Sequence, residues 1–247
     1  KILTLFAASF LPDSLPSFYI KVMDSVAYLW PLGDPTLLNP VLEDTTNYHL
    51  LSQFDSLVIS YPYFVDDRKG SGWAWDDYNS SYAPEISAMP IYSNLAHFNR
   101  DSVTLEILVD PGFIMDSLTL KEGERFGVRR QEWSNHFEVT LGECNDCERY
   151  RPFRMTDEML AQLVSDTLNI PVSIDALSIG DEAELIYSMP KDSVLKIMMQ
   201  DSDNFLAEQL LLQAGMLFTD TLDSRLAIDT LQTYLNAFLP DTVAWVD

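Results

Sequence analysis

The hydrophobic and polar positions of the chain change rhythm twice. Residues 1–10 are an almost unbroken apolar run, which stops at Leu11-Pro12-Asp13-Ser14-Leu15-Pro16. Strand-like runs follow at 18–22 and 26–30. Gly33-Asp34-Pro35-Thr36-Leu37 is turn chemistry, because Gly and Pro punctuate the backbone there. A short helix-like piece at 50–54 leads to a strand expected at 56–61. Residues 103–109 alternate cleanly and end at Asp110-Pro111-Gly112, a strand followed by a turn. Further strand-like segments lie at 117–120, 125–129 and 136–141. From 152 onward the period becomes helical. Residues 156–168 read as an amphipathic helix capped by Thr156, closed by Ile170-Pro171-Val172. A strand at 185–189 precedes three helical stretches, at 194–199, 207–218 and 226–238, and a strand begins at 243–247. No internal repeat and no low-complexity segment interrupts this order.

Composition narrows the classes of function. The 247 residues suffice for one large or two to three small domains. A hydrophobic content of 47% supports a sizeable core and argues against disorder. Against 15 basic residues stand 38 acidic ones, a net charge of −23. Nothing in that balance neutralises a run of phosphates, so no nucleic-acid partner is expected. No apolar run reaches membrane-spanning length, so no transmembrane segment is expected. The 1–10 run imitates a secretory signal in having a basic residue, an apolar core and small residues. Cys144 and Cys147 stand in a Cys-Asn-Asp-Cys tetrad in what reads as a loop, open to a short disulfide or two free thiols. A zinc site would need two more ligands at matching spacing, and His49, His97 and His136 are scattered, so no metal is expected. The basic pairs Arg68-Lys69 and Arg129-Arg130 read as exposed surface charge.

Two stretches carry candidate chemistry. In the first, Gln200-Asp201-Ser202-Asp203-Asn204 separates two helical patterns. These residue types cap helices and make tight turns, and a helix–break–helix unit is also a good mount for a hydroxyl (Ser202) and a carboxamide (Asn204). In the second, Gly72-Trp73-Ala74-Trp75-Asp76-Asp77-Tyr78 continues into Tyr82-Ala83-Pro84-Glu85-Ile86-Ser87-Ala88. An acidic pair, Asp76 and Asp77, beside an indole such as that of Trp73 suits a cationic group, through charge and a flat apolar wall. The bland alternative is a structural turn with tryptophans in the core.

Taken in order, these stretches resemble the class C low-molecular-mass penicillin-binding proteins, the D-alanyl-D-alanine carboxypeptidase/endopeptidases. In that family Ser-x-Asn is the second of three active-site motifs, after Ser-x-x-Lys and before Lys/His-Thr-Gly. Ser202-Asp203-Asn204 within 194–208 resembles the second motif. Lys1-Ile2-Leu3-Thr4-Leu5-Phe6-Ala7-Ala8 resembles the helix that follows the first, with Lys1 as its lysine. Gly33-Asp34-Pro35-Thr36-Leu37 and the Trp73 block resemble further recurrent stretches, the latter in an inserted domain overhanging the active site. Residues 120–151 match weakly. Neither Lys-Thr-Gly nor His-Thr-Gly occurs here.

The resemblance implies an α/β fold, a partial transpeptidase domain like that of penicillin-binding proteins and serine β-lactamases, with two nested β-rich inserted domains. The implied division is 1–16 with 190–247 as the catalytic part, 17–44 with 115–189 as one insertion and 45–114 as the other. It also implies acyl transfer without a cofactor. A serine attacks the carbonyl between two D-alanines and a lysine, here Lys1, takes its proton. A lysine acts as a base near neutral pH where burial or a neighbouring cation favours its neutral form. Ser202 would relay a proton to the leaving amine and Asn204 would bind the substrate's peptide group. Asp76 or Asp77 would meet the free amine of the stem peptide's third residue. The implied partners are peptidoglycan stem peptides and β-lactams, and the implied location is periplasmic or otherwise extracytoplasmic. On this reading the nucleophile lies three positions before Lys1 and the 247 residues alone are an inactive internal segment. The alternatives are a non-catalytic periplasmic domain of the same ancestry that binds peptidoglycan or a partner, and an unrelated acidic module in which Ser-Asp-Asn is only a cap.

Overall fold

The computed structural model describes residues 1–67, 69–70, 73–101 and 104–238. Arg68, Gly72 and the strand expected at 243–247 lie outside the described residues. The chain opens with helix α1 (Ile2–Ala8), then strands β1 (Ser14–Met23) and β2 (Val26–Pro31), helix α2 (Thr46–Leu51) and strand β3 (Ser56–Ile59). Next come β4 (Leu95–Arg100), β5 (Ile107–Asp110), β6 (Leu118–Arg125), β7 (Gly127–Arg130), β8 (Phe137–Glu143) and β9 (Glu148–Pro152). The remainder is α3 (Asp157–Leu168), β10 (Val172–Ile174), β11 (Glu184–Pro190), α4 (Lys191–Gln200), α5 (Asn204–Thr219) and α6 (Ser224–Phe238).

Three sheets result. The largest has the order β10-β3-β2-β1-β11; β1 is antiparallel to β2 and β11, whereas β3 is parallel to both β2 and β10. The second is β5-β4-β9 and the third β6-β8-β7. One hydrophobic core joins them, built from Phe18, Leu29, Ile59, Phe98, Phe137 and Phe153 together with Leu160 and Leu163 of α3. The expected cap of α3 is present: Thr156 accepts from the Met159 N–H at 3.1 Å.

Around α5 the periodicity disappears because the helix is buried on most of its surface. Its first half packs on α1 and α4 through Ala8, Leu11, Val194, Met198, Leu206 and Leu210. Its second half meets α6, where Gly215 matters: a Cβ there would stand 2.7 Å from the Asp223 carbonyl oxygen, so only glycine lets the chain pass. Gln209 on α5 reaches across to two distant loops. Its Nε2 donates to the Gly33 carbonyl at 2.8 Å and the Ser87 carbonyl at 3.0 Å, and its Oε1 accepts from the Ser87 N–H at 3.0 Å. Gly33 has φ of +78°, which glycine adopts without strain. The turn at Gly33 and the stretch before Ala88 are thus both fastened to the helix that carries Asn204.

Asp34, next to that turn, is fully buried, accepting from the Thr36 N–H at 3.1 Å and Thr36 Oγ1 at 3.0 Å. Burial pushes its carboxyl up to about 6, against the opposing hydrogen bonds of Ser17, Ser188 and Thr36. The folded state therefore holds this proton more tightly than the unfolded chain. Its contribution to stability is full below about pH 4 and falls as pH rises through about 6. Asp34→Asn keeps an acceptor for Thr36 but cannot titrate. We expect the stability of the native chain relative to Asp34→Asn to fall by roughly 1 kcal/mol between pH 5 and pH 7. Urea unfolding at the two pH values measures this, and a pH-independent difference would refute the assignment.

Two sequence expectations are corrected. Arg130 is not surface charge: it is 2% exposed and its guanidinium is spread over backbone carbonyls. Nε donates to Pro152 at 2.9 Å, Nη1 to Gln131, Glu132 and Ser134 at 3.0, 3.1 and 3.1 Å, and Nη2 to Tyr78 at 3.3 Å. Burial lowers its pKa. The strand expected at 103–109 is formed only from Ile107, because Asp101 folds the approach into a turn: its carbonyl accepts from the Leu105 N–H and its Oδ1 from the Thr104 N–H. Strand β4 had no counterpart in the pattern, since His97, Asn99 and Arg100 break the apolar run. The Cys tetrad occupies the turn between β8 and β9, and Cys144 and Cys147 form a disulfide.

Candidate active site

The break between α4 and α5 is a helix stop and a helix start overlaid on three residues. Asp201 donates its N–H to the Ile197 carbonyl at 2.9 Å and Asp203 donates to Met198 at 3.0 Å, closing the last turn of α4. Between them Ser202 is left-handed, with φ of +56°. Glycine or asparagine usually fills such a position, and a serine there carries strain of about 1 kcal/mol. The N-cap of α5 is Asp203, whose Oδ1 accepts from the Leu206 N–H at 2.9 Å. The capping role therefore belongs to the middle residue of the triplet. Ser202 is exposed and Asn204 is half-buried.

Lys1 arrives at this break from the other end of the chain. It is the first residue of the α1 helix unit, and α1 is held against α5 by the seam that includes Ala7, Ala8, Leu206 and Leu211. Its Nζ donates to Asn204 Oδ1 at 2.6 Å. An ammonium and a carboxamide 203 positions apart are thus in direct contact. Desolvation raises the pKa of Asp203, while hydrogen bonds from the Leu206 and Phe205 amides and the nearby Lys1 charge pull it down.

A cavity of about 450 Å³ opens beside the break, lined by Val41, Tyr82, Tyr150, Ser202, Asn204 and Phe205 among others. Its walls are mainly apolar, with Asp201, Ser202, Asp203 and Asn204 among the polar residues that line it. Tyr150 comes from β9 and is stacked on His97, ring centroids 4.5 Å apart and nearly parallel. Tyr82 donates its hydroxyl to Asp77 Oδ1 at 2.5 Å, and this bond is the chief cause that raises the Tyr82 pKa.

The Trp73 block is a loop closed by a short 3-10 helix, Trp75–Asn79. Asp77 Oδ2 accepts from the Ala74 N–H at 2.9 Å, so the Asp77 carboxylate is fixed by its own turn and by Tyr82. Asp76 points to solvent. Trp73 is half-buried over Gly70, where a Cβ would approach both the Trp73 ring and the Glu208 carboxylate to 2.9 Å.

The structure therefore gathers Lys1, Ser202 and Asn204 at one place and ties Asp77 to the same cavity through Tyr82. Lys1, Trp73, Asp76 and Asp77 are not among the residues that line it; Lys1 and Asp77 reach it only through Asn204 and Tyr82. Sequence reading passed over Tyr82, Tyr150 and Gln209, since nothing local distinguishes them from other partly apolar positions. Among the described residues no group of three or more His, Cys, Asp or Glu is placed to hold a metal ion, and no helix is long and apolar enough to cross a membrane.

No family model matches the chain, and no curated protein matches it by sequence. Solved structures do. Penicillin-binding protein 4 (DacB) from Haemophilus influenzae superposes with a TM-score of 0.68 at 17% identity, over 96% of this chain and 61% of that one. The same protein complexed with a novel β-lactam gives a TM-score of 0.62 at 16% identity, over 96% and 59%. This chain spans about three fifths of the length of those structures. Its mixed α/β architecture is that of the penicillin-binding-protein fold.

Proposed function

We propose that the chain is part of a serine-type D-alanyl-D-alanine carboxypeptidase/endopeptidase acting on peptidoglycan stem peptides. The observation that carries this reading is the 2.6 Å bond between Lys1 Nζ and Asn204 Oδ1 beside an exposed Ser202. In the longer protein a serine three positions before Lys1 would lie one helical turn back, on the same face as the lysine. Lys1 takes the serine's proton as Oγ attacks the carbonyl carbon between the two D-alanines. Ser202 passes a proton to the departing amine nitrogen as the C–N bond breaks, leaving the acyl-enzyme. Water then hydrolyses the ester and returns the serine hydroxyl. Asn204, held by Lys1, presents its amide N–H₂ to the substrate's peptide carbonyl.

Asp77 is the acid we assign to the free amine of the third stem residue. Two hydrogen bonds orient its carboxylate and Tyr82 links it to the cavity wall, whereas Asp76 faces away. The same site would take β-lactams. The Cys144–Cys147 disulfide favours an extracytoplasmic location. We also propose the division into 1–16 with 190–247, 17–44 with 115–189, and 45–114, with β3 crossing one boundary to enter the largest sheet and Gln209 stitching the parts together.

The test is D-alanine release from a synthetic pentapeptide ending in D-Ala-D-Ala by the longer protein. Wild type should release it, and Ser202→Ala should be slower by about 10²-fold or more. A folded longer protein that releases none would sink the peptidase reading.

A further inference from the structure

Two tryptophans stand clear of the surface: Trp75 is 72% exposed and Trp133 is 74% exposed. They belong to different turns, Trp75 to the 3-10 helix Trp75–Asn79 and Trp133 to the connection between β7 and β8. Arg130 binds carbonyls of both turns at once, those of Gln131, Glu132 and Ser134 on one side and that of Tyr78 on the other. Asn79 reinforces the junction, donating to the Arg130 carbonyl at 3.1 Å and accepting from its N–H at 2.6 Å. Behind Trp133, Arg154 donates to the Trp133 carbonyl at 2.9 Å and lies 5.9 Å above its ring. Asn135 holds the Arg154 backbone by a second reciprocal pair, at 2.9 and 2.6 Å. The two turns that carry these tryptophans are therefore tied to each other before anything binds.

Large exposed aromatics are the informative exception on a protein surface. A protein-binding patch would have a contiguous apolar centre. Here Arg154 lies over the Trp133 ring, and the exposed Asp76 directly follows Trp75 in the chain. A flat apolar face with a rim of hydrogen-bonding groups fits a pyranose ring, whose C–H face lies on the indole while its hydroxyl and acetamido groups meet the rim. One of the two turns is also joined to the cavity wall. Trp75 begins the short helix that carries Asp77, and Asp77 is bonded to Tyr82 on the cavity wall. An extended peptide spans at most about 3.5 Å per residue, so a five-residue stem in the cavity keeps its sugar within roughly 20 Å.

We propose that Trp75 and Trp133 form a glycan platform that receives the β-linked amino-sugar strand from which the stem peptide hangs. This rests on the reading of the substrate as peptidoglycan, and two separable readouts test it. In the first, the chain is titrated with chitotetraose, a β-1,4-linked N-acetylglucosamine tetramer, and tryptophan fluorescence is followed. A saturable change is expected, with affinity three- to tenfold weaker in Trp133→Ala and largely restored in Trp133→Tyr. This measurement needs no peptidase activity. In the second, D-alanine release by the longer protein is compared on two substrates. Trp133→Ala should leave release from a sugar-free pentapeptide unchanged and lower release from intact sacculi by about three- to tenfold. No saturable response in wild type, equal affinities for wild type and a folded Trp133→Ala, or conversion of a dimer to a monomer by that variant in sedimentation would each overturn the platform.

Discussion

Replacing Lys1 by Ala in the longer protein is expected to slow covalent labelling by a fluorescent penicillin by about 10²–10⁴-fold. The reason is positional. Lys1 Nζ sits 2.6 Å from Asn204 Oδ1, and Asn204 lines the cavity together with Ser202; a serine one helical turn earlier would deliver its proton to Lys1. Stability should barely register the change. Lys1 is half-buried and loses one hydrogen bond, worth about 1–2 kcal/mol at most. Rates from stopped labelling reactions and urea unfolding of the same preparation separate the two effects. A Lys1→Ala variant that labels as fast as wild type would remove Lys1 from the chemistry.

The second large effect concerns the fold. Arg130→Met should destabilise the chain by about 3–5 kcal/mol, because it takes the donors from the carbonyls of Pro152, Gln131, Glu132, Ser134 and Tyr78 inside a packed site. Volume is roughly conserved, so the loss reports hydrogen bonding more than packing. Arg130→Lys should fall between, since an ammonium keeps the charge but cannot fork to both turns. Denaturant unfolding measures both. Equal stability of Arg130→Met and wild type would show that these carbonyls find other partners.

Much of the backbone was legible in the chain itself. The α3 pattern with Thr156 in front, the strand-like runs at 18–22 and 26–30, and the helical runs after 190 all appear where local rules put them. Local rules failed where a distant residue decided the outcome. Arg130 reads as half of a basic pair, and only Pro152 and Tyr78, brought in by the sheets, make it an interior residue. The run at 103–109 looked like strand until Asp101 claimed its first residues for a turn. Strand β4 was hidden by polar side chains that face away from Ala96 and Phe98, both fully buried.

The site divides in the same way. Ser202 and Asn204 could be singled out because three polar residues between two helical patterns form a local signal. The capping that these residue types imply is present, and Asp203 carries it. Tyr82, Tyr150 and Gln209 could be given no role from the sequence, because their roles exist only once distant stretches of chain are brought to α5.

The most direct measurement is the position of the covalent adduct. The longer protein is treated with penicillin, digested, and the modified peptide is sequenced by mass spectrometry. The adduct is expected on a serine three residues before Lys1, one helical turn from the Lys1 amine. An adduct on any other residue, or an unmodified and folded protein, would contradict the account.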